Sequence, residues 1–193
     1  MNTAATTKEH VSFRDDLAQF LEYAILAPSS HNTQPWLFKI VGEDTIEVYA
    51  DDSRWLKIAD SDKRELFISV GCALENLLIA AEHYGYGATL NYFPSLENED
   101  FVASVRFDQS PRRSNAPELF EAIAKRLTNH NEFESTPVLP EDQRRLENCC
   151  REEGIGLYLT SDIEIKRKVE DLIIRADARQ FADPEFREEL GSW

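Results

Sequence analysis

The chain has 193 residues, with 21 Lys plus Arg against 36 Asp plus Glu, for a formal charge of −15. That balance excludes a generic nucleic-acid or anionic-membrane binder, whose phosphate affinity needs clustered Lys and Arg. Apolar residues make up 42%, a globular proportion rather than a disordered one, and 7 glycines with 8 prolines fall below the usual share of about 12%, which points to much helix.

The N-terminal stretch Met1–His10 is polar and lacks the apolar centre of a signal peptide. From Ser12 to Ala27, Phe13, Leu17, Phe20, Leu21, Ala24 and Ile25 recur at helical spacing, and Pro28 ends the pattern. Trp36–Val41 and Ile46–Ala50 read as two strands joined through Gly42-Glu43-Asp44, a hairpin. Asp62–Tyr84 forms a long helix with a wide apolar stripe of Leu66, Phe67, Val70, Leu74, Leu77, Leu78 and Ala81; its small residues Ser69, Gly71, Cys72 and Ala73 mark it as central and mostly buried. Its longest clean apolar run, Leu77–Ala81, is too short for a membrane span.

Leu90–Phe93 and Phe101–Phe107 are further strands, and Ser110–Asn115 is a connector. Pro117 opens a helix to Leu127, Pro140 another to Glu153, and Leu157–Thr160 reads as a short strand. Ser161-Asp162-Ile163-Glu164 has the form of a capping box introducing a helix to Phe181. The class is α+β, with an antiparallel-rich sheet and one long central helix.

Three cysteines, Cys72, Cys149 and Cys150, form no CxxC pair, and an odd number argues against a disulfide framework and for a reducing, cytoplasmic setting. Cys149 and Cys150 are adjacent on a helix, where neighbours diverge by about 100°; they read as structural thiols. His10, His31, His83 and His130 make no ligand pair, and neither GxSxG nor a Walker A pattern occurs, so no metal is expected.

The segment Ala27-Pro28-Ser29-Ser30-His31-Asn32-Thr33-Gln34-Pro35-Trp36 places hydroxyls, a carboxamide and backbone donors between two prolines, after a helix and before a strand. Such a loop suits a flat ligand with polar edges. Its plainer alternative is a helix stop followed by Asx and Ser turns.

The order Pro-Ser-Ser-x-Asn-x-Gln-Pro-Trp in this setting resembles the flavin-binding segment of the FMN-dependent nitroreductase family, and the helix core Val70–Leu78 resembles that family's dimer-interface helix. The resemblance implies that Pro28, Ser29, Ser30 and Asn32 lie against the isoalloxazine ring or ribityl chain, with Gln34, Pro35 and Trp36 structural. The family's basic N-terminal element, which holds the FMN phosphate, is missing from the first block, because Arg14 stands too close to the loop. A counterpart occurs later, in Lys125-Arg126-Leu127-Thr128-Asn129-His130, where Arg126, Thr128 and His130 match it. The alternatives there are an exposed helix residue for Arg126 and a solvated helix-end histidine for His130.

The second block in turn lacks the Pro-Ser-Ser-x-Asn loop. The chain therefore reads as two related, incomplete halves, 1–115 and 116–193, resembling a fused, stress-associated branch that mimics the family dimer and shares one flavin site. The same site could be completed by a homodimer. More sheet and helix is expected beyond Trp193 in such a relative, so the chain reads as a fragment or as one that a second chain completes. The implied activity is ping-pong hydride transfer from NAD(P)H through FMN to a nitroaromatic, a quinone or a similar small-molecule acceptor. A flavin-sequestering or flavin-free protein of the same fold is the second reading, and an acidic interaction domain the third.

Overall fold

The computed structural model describes residues 13–109, 117–149 and 154–193. Met1–His10, Ser12, the Ser110–Asn115 connector, Cys150 and the expected end of the helix at Glu153 lie outside them. Among the described residues there are six α-helices and one four-stranded antiparallel sheet, the α+β class expected. The chain divides into two compact units, 1–128 with 188–193, and 129–187.

In the first unit, α1 (Phe13–Ala24) buries Leu17, Phe20 and Ala24, which stand on one face at helical spacing. The hairpin follows as β1 (Trp36–Val41) and β2 (Thr45–Ala50), with Trp36 opposite Ala50 and Val41 opposite Thr45. Gly42 adopts φ +62° in the three-residue turn, a conformation that a side chain would strain. Along β2, Ile46, Val48 and Ala50 alternate inward. β3 (Gly87–Tyr92) and β4 (Phe101–Asp108) complete the sheet in the order β1-β2-β4-β3.

The long helix, α2 (Arg64–His83), buries Leu66, Val70, Ala73, Leu74, Leu77, Ala80 and Ala81 in one core with α1 and the inner face of the sheet. Its length and apolarity alone would suit a membrane span; in the fold this apolar face is the core. The start of α2 is set by a side chain from outside it. Asp60, 4% exposed, accepts the amides of Glu65 and Leu66, both at 2.9 Å, two donors that the helix itself leaves unpaired. The helix ends in a Schellman motif: Gly85 (φ +86°) donates to the Glu82 carbonyl, and the Tyr86 amide to that of Ala81.

The helix expected from Pro117 is α3 (Pro117–Lys125). Within the first unit it packs on α1 and α2 through Phe120, whose ring stacks on His83 at 3.6 Å and meets Tyr23 at 4.6 Å.

The second unit holds α4 (Pro140–Cys149) and α5 (Ile163–Ala182); α6 (Pro184–Gly191), which the sequence reading missed, crosses the boundary. Leu157–Thr160 forms no strand. The described residues of this unit contain no other strand to pair with it, and a strand gains its backbone bonds only from a neighbour. The cap of α5 is Asp162 rather than Ser161: its carboxylate accepts from Glu164 and Ile165 at 2.8 and 3.2 Å. Val169, Leu172, Ile173 and Ile174 on α5 are about half exposed or more, at 50, 60, 54 and 59%.

Candidate functional site

The loop between α1 and β1 is pinned from below and open above. Thr33 and Pro35 are buried, while His31, Asn32 and Gln34 are exposed. These three exposed residues all have positive φ, at 49°, 58° and 52°, three of the five such non-glycine residues among those described. Left-handed backbone costs a residue with a side chain about 1–2 kcal/mol, and clusters of it persist only where neighbours over-determine the chain.

The neighbours here are identifiable. Ser29 Oγ accepts the Gln34 amide at 2.9 Å, closing the loop on itself. Arg54 donates to the Thr33 carbonyl at 2.8 Å, and the Asp51 amide to the Pro35 carbonyl at 3.0 Å. On the α2 side, Ser30 donates its hydroxyl to Glu65 Oε2 at 2.5 Å and its amide to Ser69 Oγ at 3.3 Å; Ser69 Oγ donates to the Glu65 carbonyl at 2.8 Å. Between the loop and the start of α2 lies a cavity of about 10 Å³ bordered by Ser30, Thr33, Leu66 and Ser69. That is space for about one water. A ligand would therefore lie on the open side of the loop.

Of the residues singled out from sequence, Pro28, Ser29, Ser30 and Asn32 occupy this loop. Just beyond α3, Arg126 donates to Thr128 Oγ1 at 3.2 Å and to the Leu26 carbonyl at 3.4 Å, two residues before Pro28. Arg126 and Thr128 are thus brought together, and Arg126 is drawn to the chain entering the loop. Both its partners are uncharged, and among the described residues no carboxylate pairs with it within 4 Å, so its charge stays available. Lys125 is instead paired with Glu121 at 2.9 Å. His130 lies in the second unit, exposed.

The Arg126 charge also reaches α2. Burial pushes the Cys72 thiol above its ordinary range, with Arg126 pulling the other way and Glu75 adding to the rise. A protonated, half-buried thiol is a poor nucleophile. Burial, then Glu82, raises the Glu75 carboxyl. Among the described residues no group of three His, Cys, Asp or Glu could hold a metal ion.

Sequence reasoning missed Arg54, Asp60 and Glu65 and took Ser69 for a small packing residue. Ser69 carried a signal: it is a hydroxyl inside the apolar stripe of a central helix, 3% exposed, and such a group needs partners. The partners of Arg54 and Glu65 carried none, since they lie 21 and 35 residues away along the chain.

Comparison with known proteins follows the same segment. Residues 3–81 match the family described as "Putative TM nitroreductase". Over 189 residues, 98% of the chain, it is 25% identical to a Mycobacterium tuberculosis protein named "Putative NAD(P)H nitroreductase", of which it covers 54%. It is 32% identical over 100 residues, 51% of the chain and 28% of the relative, to "Probable NAD(P)H nitroreductase PigM" of a Serratia species. A solved structure described as "a putative nitroreductase in complex with fmn", from Desulfovibrio desulfuricans, aligns with a TM-score of 0.42 at 22% identity, over 58% of this chain and 86% of that one. The first part of the chain is thus similar in sequence to proteins named as nitroreductases. The chain spans about half the length of the curated relatives it matches.

Proposed function

We propose that the chain binds FMN on the open side of the Pro28–Asn32 loop and serves an NAD(P)H-dependent oxidoreductase that reduces nitroaromatics, quinones or similar acceptors. The observation that carries this reading is the strained loop itself. Three exposed left-handed residues are held by bonds from β2's flank and α2, beside an arginine with no carboxylate partner among the described residues.

The donor set fits the group. Ser29, Ser30 and Asn32 offer neutral hydroxyl and amide contacts for a polar ring edge, and Arg126 with Thr128 offers a cation and a hydroxyl for a phosphate. The chemistry that FMN supplies when bound is acceptance of hydride from NAD(P)H and its delivery to the acceptor. The chain's own residues bind and orient, and none is required as general acid or base. With a net charge of −15, long-range attraction of anionic cofactors is unfavourable, so the short-range grip of Arg126 must outweigh it.

The test is the absorption spectrum of the purified protein with FMN, before and after anaerobic NADH or NADPH. Bound flavin that bleaches supports the oxidoreductase. Bound flavin that keeps its colour removes turnover and leaves sequestration, and a protein that takes up no FMN removes the cofactor reading.

A further inference from the structure

We infer that Glu65 is a positioning residue for the flavin-facing loop, acting through Ser30. The inference rests on the proposed cofactor reading for its consequence and on the loop geometry for its mechanism. A loop with φ of 49°, 58° and 52° at His31, Asn32 and Gln34, and a right-handed Thr33 (φ −65°) between them, does not hold itself, since the left-handed residues would relax to right-handed or extended backbone if released. The Gln34 end is held through Ser29 Oγ and by Arg54 on the Thr33 carbonyl. The Ser30 end is held by the first turn of α2, through the Ser30 hydroxyl on Glu65 and the Ser30 amide on Ser69. Ser69 in turn is tied to the Glu65 carbonyl, so both contacts converge on one residue.

The same bond sets the polarity of the site. A serine hydroxyl has one proton. Ser30 spends its proton on Glu65, which leaves only oxygen lone pairs for a ligand. The Ser29 oxygen accepts from the Gln34 amide, and among the described residues no acceptor takes the Ser29 proton. The adjacent serines are therefore distinct: Ser29 can donate to a bound ring edge and Ser30 can only accept. Glu65 enforces that difference without touching the ligand.

The experiment compares Glu65→Gln with Glu65→Ala, by FMN fluorescence titration and by hydrogen exchange of the Asn32 and Thr33 amides, which bond back to the Ser29 and Ser30 carbonyls. Both substitutions remove the same charge, but Gln keeps an oxygen for the Ser30 hydroxyl, so the difference reports the hydrogen bond. Glu65→Ala is expected to bind FMN about five- to tenfold more weakly than Glu65→Gln, the effect of one such bond, and to exchange those amides faster by a similar factor. In a Ser30→Ala background the two should become equal. Equal FMN affinity and equal exchange in the Gln and Ala variants would overturn the inference. If the parent protein takes up no FMN, the cofactor reading fails by itself, and the exchange comparison still decides whether Glu65 holds the loop.

Discussion

Arg126 donates to the carbonyl of Leu26, 100 residues earlier in the chain, at 3.4 Å. This bond carries the end of α3 to the last turn before Pro28. It joins two segments that local sequence treats as unrelated, and it leaves the guanidinium without a carboxylate partner among the described residues.

Replacing Arg126 with Ala should therefore weaken FMN binding by about ten- to a hundredfold, the range for a charged hydrogen bond. The melting temperature should move little, because the side chain is exposed. Lys should recover part of the loss, as a point charge lacking the guanidinium fork. Fluorescence titration beside a thermal melt checks this, and equal FMN affinity in parent and Ala variant would remove the phosphate assignment.

Asp60 is the residue on which the start of α2 depends. Asp60→Ala leaves the Glu65 and Leu66 amides without their acceptor, one of them buried, and should cost about 1–3 kcal/mol. Urea unfolding should show a lower midpoint with an unchanged slope. A midpoint equal to the parent's would mean that water replaces the carboxylate at no cost.

Packing should divide the two compact units. Leu77 is fully buried in the core of the first, and Leu77→Ala should cost about 2–5 kcal/mol. Leu172, 60% exposed on α5, should cost under about 0.5 kcal/mol when cut to Ala. Paired denaturation curves of the two variants test this; a large loss at Leu172 would show that its face is covered in solution.

Alkaline pH should destabilise the first unit. Tyr84 is pushed up to about 12, first by its hydrogen bond with Tyr23, then by burial, while Gln19 opposes the rise. The bond to Tyr23 is 3.1 Å long. Burial, joined by a bond to Asp16, raises Tyr86 as well. A phenol is neutral below its pKa, and here the folded value lies above the unfolded value of about 10. The contribution is therefore complete below pH about 10 and is lost as pH rises toward 12. Tyr84→Phe should flatten the fall in stability over that window. An unchanged pH profile would count against the coupling.

Local pattern carried most of the first unit. Helical spacing of Leu17, Phe20 and Ala24, alternation of Ile46, Val48 and Ala50, and the stripe of α2 each depend on residues within a turn or two, so they are readable in order along the chain. The Pro28–Trp36 loop was legible for the same reason, as a run of residue types between two prolines. The strand at Leu157–Thr160 was misread because a strand exists only with a partner, and partners are not local. The strand order β1-β2-β4-β3, the Asp60 cap, the grip of Arg126 on Leu26 and the Glu65–Ser30 bond were decided only by the tertiary structure. They depend on which distant segments the core brings into contact. Burial of α1 and α2 on one sheet face sets those distances, and hydrophobic burial is non-directional, so residue types alone do not specify which polar groups meet at its edge.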